Sequence, residues 1–412
     1  MKTKRVYILG GYQTDFAKNW TRNKETLFDM MREGVEGALA TTKIDPTDIN
    51  VAHIGNFVAE LFVGQGQLGG LFNAINPAYA NVPSARHEAA CASGSMAVLA
   101  AMAEIEAGRY DLACVAGIEL MRNVDGQTGA KHLGAAMWVG EEAQEAIFPW
   151  PYQFSQIADL YAERYGLQQA HLARIAQINF SNAKRNPNAQ TRNWQFTEAS
   201  FTEDEEANPT IEGRIRKQDC GQITDGTAVI FLASEQYAAT YAQRHNLDLN
   251  NIPYIQGWGH RTAPLKLETK IENGRNQPYP FPHVRQTILD AYQRAGIQSP
   301  DELDGIETHD CFTISEYVAI DNFGITAPGE AWQAIESGQI ELEGSLPINA
   351  SGGLIGCGHP VGATGVRMLL DAYKQTTNQA GDYQIENAKR IATLNIGGSL
   401  TTIASFIVGN NT

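Results

Sequence analysis

Short apolar runs alternate along this chain with stretches in which apolar residues recur every three or four positions. That alternation is the pattern of an α/β protein. Val6 to Leu9 reads as a first strand, Thr26 to Ala40 has helical spacing, and Val51 to Val58 reads as a second strand. Met96 to Ile105 is apolar on nearly every face, which predicts a buried helix, and Gly108 is placed to stop it. Leu112 to Gly117 (LACVAG) then reads as a strand buried on both sides.

From about Met121 to Asn250 the pattern loosens. Trp138, Pro149, Trp150, Pro151 and Trp194 lie among many Asn, Gln and Glu. Helical stretches are expected at Gln156 to Tyr165 and Gln169 to Arg185, in a region of loops and helices outside the sheet. Thr227 to Leu232 returns to a strand pattern. The last third then repeats the first in outline, at an offset of roughly 250 to 270 residues. NIPYIQGWGH (Asn251 to His260) parallels RVYILGGYQT (Arg5 to Thr14), each predicting a strand, a glycine and a polar turn. GHPVGATGVRMLLDAY before RIATLNIGGS parallels CASGSMAVLAAMAEI before DLACVAGIE. Two similar α/β halves are therefore expected.

Composition narrows the function classes. The 412 residues are 43% hydrophobic and 19% charged, an ordinary globular balance with two or three domains' worth of chain. No apolar run approaches the ~20 residues of a membrane span, and the N-terminus lacks the longer apolar core and cleavage site of a secretory signal. A formal charge of −15 repels a polyanion, so nucleic acid is not an expected partner. The five cysteines are widely spaced, with no CxxC and no Cys/His knuckle, so no metal site is expected. Reduced thiols in the cytoplasm are the expectation.

Four places can carry chemistry. Cys91, in HEAACASGSMAV, stands at the start of the buried helix, where backbone N–H groups and the helix dipole are expected to lower its pKa. Its small neighbours Ala92, Ser93 and Gly94 leave room for an acyl group; a packing cysteine reads as well. His359 lies in NASGGLIGCGHPVGATG, whose six glycines predict tight turns and close backbone approach; it reads as a base or as a surface-loop histidine. His309, Asp310 and Cys311 sit in GIETHDCFTISEY, read as a strand end before a helix capped by Thr313. There ligands gather in α/β sheets, though buried packing reads equally. Gly397 and Gly398, in NIGGS, offer N–H groups to an oxyanion or simply turn the chain. Cys114 is read as packing, and Cys220 has no supporting context.

These blocks together resemble the thiolase family over essentially the whole chain. The resemblance rests on ACASG around Cys91, TDGTAVIFLAS after the middle region, THDCF at Thr308 to Phe312, and NASGGLIGCGHPVGATG around His359. HDCF in place of the commoner NEAF is similar to the sterol-carrier-protein-type branch. The resemblance implies a thiolase-like fold: two βαβαβαββ halves layered α-β-α-β-α with an inserted loop domain. The segments would be 1–120 and 226–250 for the N-terminal half, 121–225 for the insertion and 251–412 for the C-terminal half.

It also implies roles. Cys91 would carry the acyl group as a thioester, and His359 would activate it and help polarise the substrate thioester oxygen. His309 would bind that oxygen directly or through water. The N–H groups of Cys91 and Gly397 would form a second oxyanion hole. Arg214, Arg216 and Lys217, in the insertion, would bind the CoA nucleotide, unless they are a solvated basic turn. Most thiolases carry a second cysteine in a CxG motif, where this chain has Asn395, so Cys311 is the candidate acid/base at the α-carbon. CoA and acyl-CoA would be substrates in lipid metabolism, with no permanently bound cofactor. A homodimer or homotetramer is implied, and a partner subunit stays open. Two other readings stand beside the C-acyltransferase. One is a thiolase-fold acyltransferase acting on a non-CoA acceptor. The other is a non-catalytic acyl-CoA or lipid-binding protein.

Overall fold

The computed structural model describes residues 4–411. Residues 1–3, which open the stretch screened above for a signal, and residue 412 lie outside the described residues. The strands are β1 (Val6–Gln13), β2 (Val51–Gly55), β3 (Ser84–His87), β4 (Leu112–Glu119), β5 (Thr210–Glu212), β6 (Ile215–Arg216), β7 (Gly226–Ser234), β8 (Tyr254–Thr262), β9 (Gly305–Thr308), β10 (Arg390–Gly397) and β11 (Thr402–Gly409). Nine of them join in the order β3-β2-β4-β7-β1-β8-β11-β10-β9, and β5 with β6 makes a separate hairpin.

The order reads the same from the middle outwards. β1 pairs antiparallel with β7, β7 antiparallel with β4, and β4 parallel with β2. On the other side β8 pairs antiparallel with β11, β11 antiparallel with β10, and β10 parallel with β9. The repeated outline in the sequence is thus a repeated topology. The second half has a single bridge, Ile306 with Ile348, where the first half has β3. The halves join along the sheet through Tyr7 opposite Tyr254.

Two helices occupy the middle. Ser93–Glu106 and Thr364–Thr376 pack on each other and on strands. One core cluster takes Val98 and Ala101 from the first helix, Val366 and Leu369 from the second, and Ile8 and Phe406 from opposite halves of the sheet. This central layer explains why the helix around Met96 is apolar nearly all round. Between β4 and β7 lie the helices Gly126–Leu133, Pro149–Tyr165 and Gln169–Ala183. The first of the last two covers the expected Gln156 to Tyr165; the second starts at Gln169 as expected and ends at Ala183, two residues short of Arg185. Among the described residues no helix is long and apolar enough to cross a membrane.

The structure corrects several local readings. β2 stops at Gly55 instead of running to Val58; a Cβ at Gly55 would sit 2.5 Å from the Cα of Gly94, and the next three residues turn away to bind Glu119. Neither Gly10–Gly11 nor Gly257–Gly259 makes a turn. β1 continues through a bulge there, with Gly10 at φ +111°, and β8 runs on to Thr262. In both strands glycine serves a bulge or close packing. Thr313 is the first residue of its helix and not the cap; its hydroxyl donates to Asp219 Oδ1 at 2.8 Å. Gly108 does stop its helix, at φ +73°.

Candidate active site

The functional side chains come from loops at the ends of both halves. Cys91 lies in a tight turn, Ala90–Ala92, that leads into the first central helix. Ala90 has φ +50°, a strained value for a residue with a Cβ. Ser93 holds the turn: its hydroxyl donates to Ala90 O at 2.6 Å and accepts from Ala89 N at 2.9 Å. Burial pushes the Cys91 thiol up to about 12, against a hydrogen bond from the Gly398 N–H. The expectation of a lowered thiol pKa is therefore overturned, because desolvation outweighs the helix N-terminus. Cys91 is therefore held as a thiol, which only a neighbouring base could turn into a nucleophile.

His359 is the candidate for that base. Its Nδ1 is 2.6 Å from Thr364 Oγ1, and its Nε2 is enclosed without a hydrogen-bond partner. Burial, then Arg367, pushes it down to about 3, so it is a neutral imidazole. Its backbone N–H donates to Thr224 Oγ1 at 2.9 Å. Gly358, at φ +124°, has the Thr224 methyl 2.9 Å from where a Cβ would lie. The glycines around His359 do serve close approach, as their number suggested.

His309 follows β9. Its ring stands edge-on to that of His359, with centroids 5.2 Å apart, and burial, His359 and Arg367 hold its pKa well below the usual value. One ligand atom from each of Cys91, His309 and His359 lies within 4.8 Å of the others. One sulfur and two imidazole nitrogens at this spacing are a set that a thiophilic metal could use, and the same set suits acyl transfer.

Cys311 is buried, with Sγ 3.9 Å from Ser315 Oγ, and burial followed by nearby Cys91 raises its thiol well above the ordinary value. Cys91, Cys311, His359 and Gly398 all face one cavity of about 260 Å³. Phe57, Met121, Leu133, Phe148, Trp150 and Phe154 form much of the rest of its wall. Cys220, unsupported by its sequence context, also lines it. Cys114 lies mid-strand in β4, fully buried, as expected of packing.

The glycine pair divides its work. Gly398, at φ +64°, lines the cavity and presents its N–H to the sulfur. Gly397 packs so closely that a Cβ would fall 2.2 Å from Ala89 O. Buried Lys270 steadies the turn that follows, donating to Leu265 O at 2.8 Å, Ser399 Oγ at 3.1 Å and Thr401 Oγ1 at 2.7 Å.

Arg214, Arg216 and Lys217 do not line this cavity. Arg214 pairs with Asp159 at 2.5 Å and Arg216 with Glu205 at 2.9 Å; Lys217 is exposed. An adjoining cleft of about 350 Å³ shares Met121, Gly126, Gln222 and Ile223 with the cavity and carries Arg22 and Arg122. Among the described residues neither of these arginines makes an ion pair. Glu119 was also missed. Its carboxylate accepts from Phe57 N at 2.9 Å, Val58 N at 3.2 Å, Gly362 N at 3.0 Å and the Asn56 amide at 2.8 Å. It ties the Cys91 side of the site to the His359 side. A carboxylate ending a wholly apolar strand was the readable signal.

Residues 6–236 match the thiolase N-terminal domain, and residues 272–410 match the thiolase C-terminal domain-like family. This chain belongs to the thiolase family. It is 30% identical to an acetyl-CoA acetyltransferase of Methanothermobacter thermautotrophicus over 98% of each chain. It is 25% identical to sterol carrier protein 2 of Gallus gallus, over 98% of this chain and 72% of that protein. The solved structure of the Ltp2-ChsH2(DUF35) aldolase superposes with a TM-score of 0.77 at 18% identity, covering 100% of this chain and 99% of that one. This thiolase is an acyltransferase, with CoA and acyl-CoA as substrates rather than resident cofactors.

Proposed function

We propose that this thiolase makes or cleaves 3-ketoacyl-CoA through an acyl group held on Cys91. The observation that carries the reading is the meeting of Cys91, His309 and His359 within 4.8 Å, beside an apolar cavity, with His359 Nε2 unpartnered. Cys91 Sγ attacks the thioester carbonyl while its proton passes to His359 Nε2. The CoA sulfur leaves and takes that proton, giving free CoA and an acyl-enzyme. Cys311, once its own proton has passed to His359 Nε2, removes an α-proton from a second acyl-CoA as a thiolate. The carbanion attacks the acyl carbonyl, and the expelled Cys91 thiolate takes back the proton held on His359. His309 Nε2–H, and His359 Nε2 while it holds the transferred proton, polarise the substrate thioester oxygen. The N–H groups of Cys91 and the Gly397–Gly398 pair bind the oxygen of the tetrahedral intermediate. The aromatic and aliphatic wall favours an apolar acyl group. CoA phosphates are assigned to the cleft with Arg22 and Arg122.

Intact mass spectrometry after incubation with acetyl-CoA and longer acyl-CoAs tests the first half-reaction. An acyl adduct that disappears in Cys91→Ser supports the reading; undiminished labelling of that variant removes Cys91 from the role. Release of acyl-CoA from 3-ketoacyl-CoA plus CoA tests the second half.

A second reading keeps the acyl-enzyme but passes the acyl group to a non-CoA acceptor, with a partner subunit. Trp138, Val139 and Ile147 favour it, being 51%, 75% and 67% exposed beside the wall residues Ala136 and Phe148. Acylated acceptor without thiolytic turnover would select it. A homodimer or homotetramer is also part of the proposal. The apolarity of LACVAG is not its support, because β4 is interior between β2 and β7. The support is β3, an unpaired sheet edge. All five cysteines are free thiols, which suits the cytoplasm.

A further inference from the structure

We infer that the two site histidines are locked in opposite tautomers, and that Asn395 is the positioning residue that fixes His309 as a hydrogen-bond donor through Nε2. The position where most thiolases carry a second cysteine thus has a different task here.

The orientation of the Asn395 amide follows from its neighbours. Its Nδ2 lies 3.0 Å from Cys91 O. A carbonyl only accepts, so this end of the side chain is the NH2 group. The other end, Oδ1, accepts from Ser95 Oγ at 2.7 Å. The same Nδ2 lies 3.2 Å from His309 Nδ1, so Nδ1 must accept. A neutral imidazole has one lone pair and one N–H; with the lone pair on Nδ1, the proton sits on Nε2. Among the described residues Nε2 of His309 has no hydrogen-bond partner in the chain, which leaves it for a substrate oxygen. The ring is neutral because burial, His359 and Arg367 all disfavour its cation.

His359 is set the other way. The Thr364 hydroxyl donates to Pro360 O at 3.3 Å, so it accepts from His359 Nδ1–H at 2.6 Å. Nε2 of His359 keeps its lone pair and can take the Cys91 proton. One histidine is therefore a base and the other a donor, each fixed by a neighbour that touches no substrate. The lock also bears on metals. His309 offers no free lone pair, so Cys91 and His359 alone remain as metal ligands in the triad.

Nitrogen-15 NMR of the histidine-labelled protein reads both tautomers directly. The expected result is Nε2–H on His309 and Nδ1–H on His359. The same tautomer on both rings, or Nδ1–H on His309, overturns the inference. This measurement needs no turnover. It can therefore hold if the proposed reaction fails, and fail if that reaction holds; only the kinetic arm rests on the thiolase reading.

In Asn395→Asp the carboxylate would accept from Nδ1–H and invert His309. A fall in kcat on the order of 10²-fold or more, with little change in KM, is expected, together with new inhibition by Zn²⁺. In a His309→Asn background the same substitution should cost far less, since an amide donor has no tautomer to choose. An equal loss in both backgrounds, or none in either, overturns the assignment. Should Asn395→Asp not fold, the wild-type spectrum decides.

Discussion

Gly94 and Gly362 meet backbone to backbone: a Cβ on Gly94 would lie 2.8 Å from the carbonyl oxygen of Gly362. Gly94 is in the first turn of the central helix behind Cys91, and Gly362 is in the short turn, Val361–Ala363, that leads from His359 into the other. Cys91 belongs to one half of the duplication and His359 to the other, so this contact bears on their separation and on the nucleophile–base pair proposed for them. Gly117 adds to it, with a Cβ that would fall 2.5 Å from the same oxygen.

Gly94→Ala should therefore push the two helix starts apart. We expect a stability loss of about 1–3 kcal/mol and a drop in Cys91 acylation approaching 10²-fold, the scale of a small misplacement of reacting groups. Gly70→Ala, where nothing lies within 4 Å of the new Cβ, is the control and should leave both unchanged. Thermal melts and acylation time courses on the pair check this. Full acylation by Gly94→Ala would mean that the helix contact does not set the geometry.

The pH dependence of acylation follows from His359. A histidine at its ordinary value would protonate near pH 6.5 and switch the base off below it. Burial and Arg367 bring this one down to about 3, so it stays an acceptor on the acid side of neutrality. The acylation rate should stay flat between about pH 5 and pH 7. A rate that halves near pH 6.5 would show the base to be protonated there, against a buried neutral imidazole.

Ion pairing is the ground on which CoA is proposed to bind away from the basic cluster. Arg214 and Arg216 already face carboxylates, whereas Arg22 and Arg122 line the cleft that continues the cavity. Arg122→Ala should raise KM for CoA and acyl-CoA several-fold, the loss of one charged hydrogen bond at a partly exposed site, with kcat little changed. Arg214→Ala should leave KM where it is. The opposite pattern would return the nucleotide to the basic cluster read from the sequence.

The duplication was legible because it is written in periodicity: the same order of glycine-rich entry, apolar helix and buried strand recurs around Cys91 and His359. Cys91, His309, Cys311 and His359 were legible because their residue types and short contexts carry chemistry on their own. The remainder depends on contacts between distant segments. Asn395 reads as a lost cysteine until Cys91 O and His309 Nδ1 are seen on its amide. The thiol pKa of Cys91 was misread because a helix N-terminus is local and visible in sequence, while the desolvation that outweighs it is not. Gly10 and Gly257 were misread for a related reason. A glycine that turns the chain and one that lets a neighbour pack close look alike in one dimension.

Cys311 is the remaining test of the proposed carbon–carbon chemistry, since position 395 holds no cysteine. Asn395 has no titratable proton, and its amide is fully used by Ser95, Cys91 and His309. Cys311 lines the same cavity as Cys91, and a charge on Cys91 is the second cause of its raised pKa. It is thus a cavity-lining group able to carry an α-proton. The two half-reactions separate its role from packing. Cys311→Ala should still load an acyl group on Cys91, because attack on a thioester moves no α-proton. It should lose both condensation and thiolytic cleavage by on the order of 10²-fold or more, and exchange of the substrate α-proton with deuterium from solvent should stop with it. A variant that melts a few degrees lower yet keeps near-normal cleavage would make Cys311 a wall residue and place the proton carrier elsewhere.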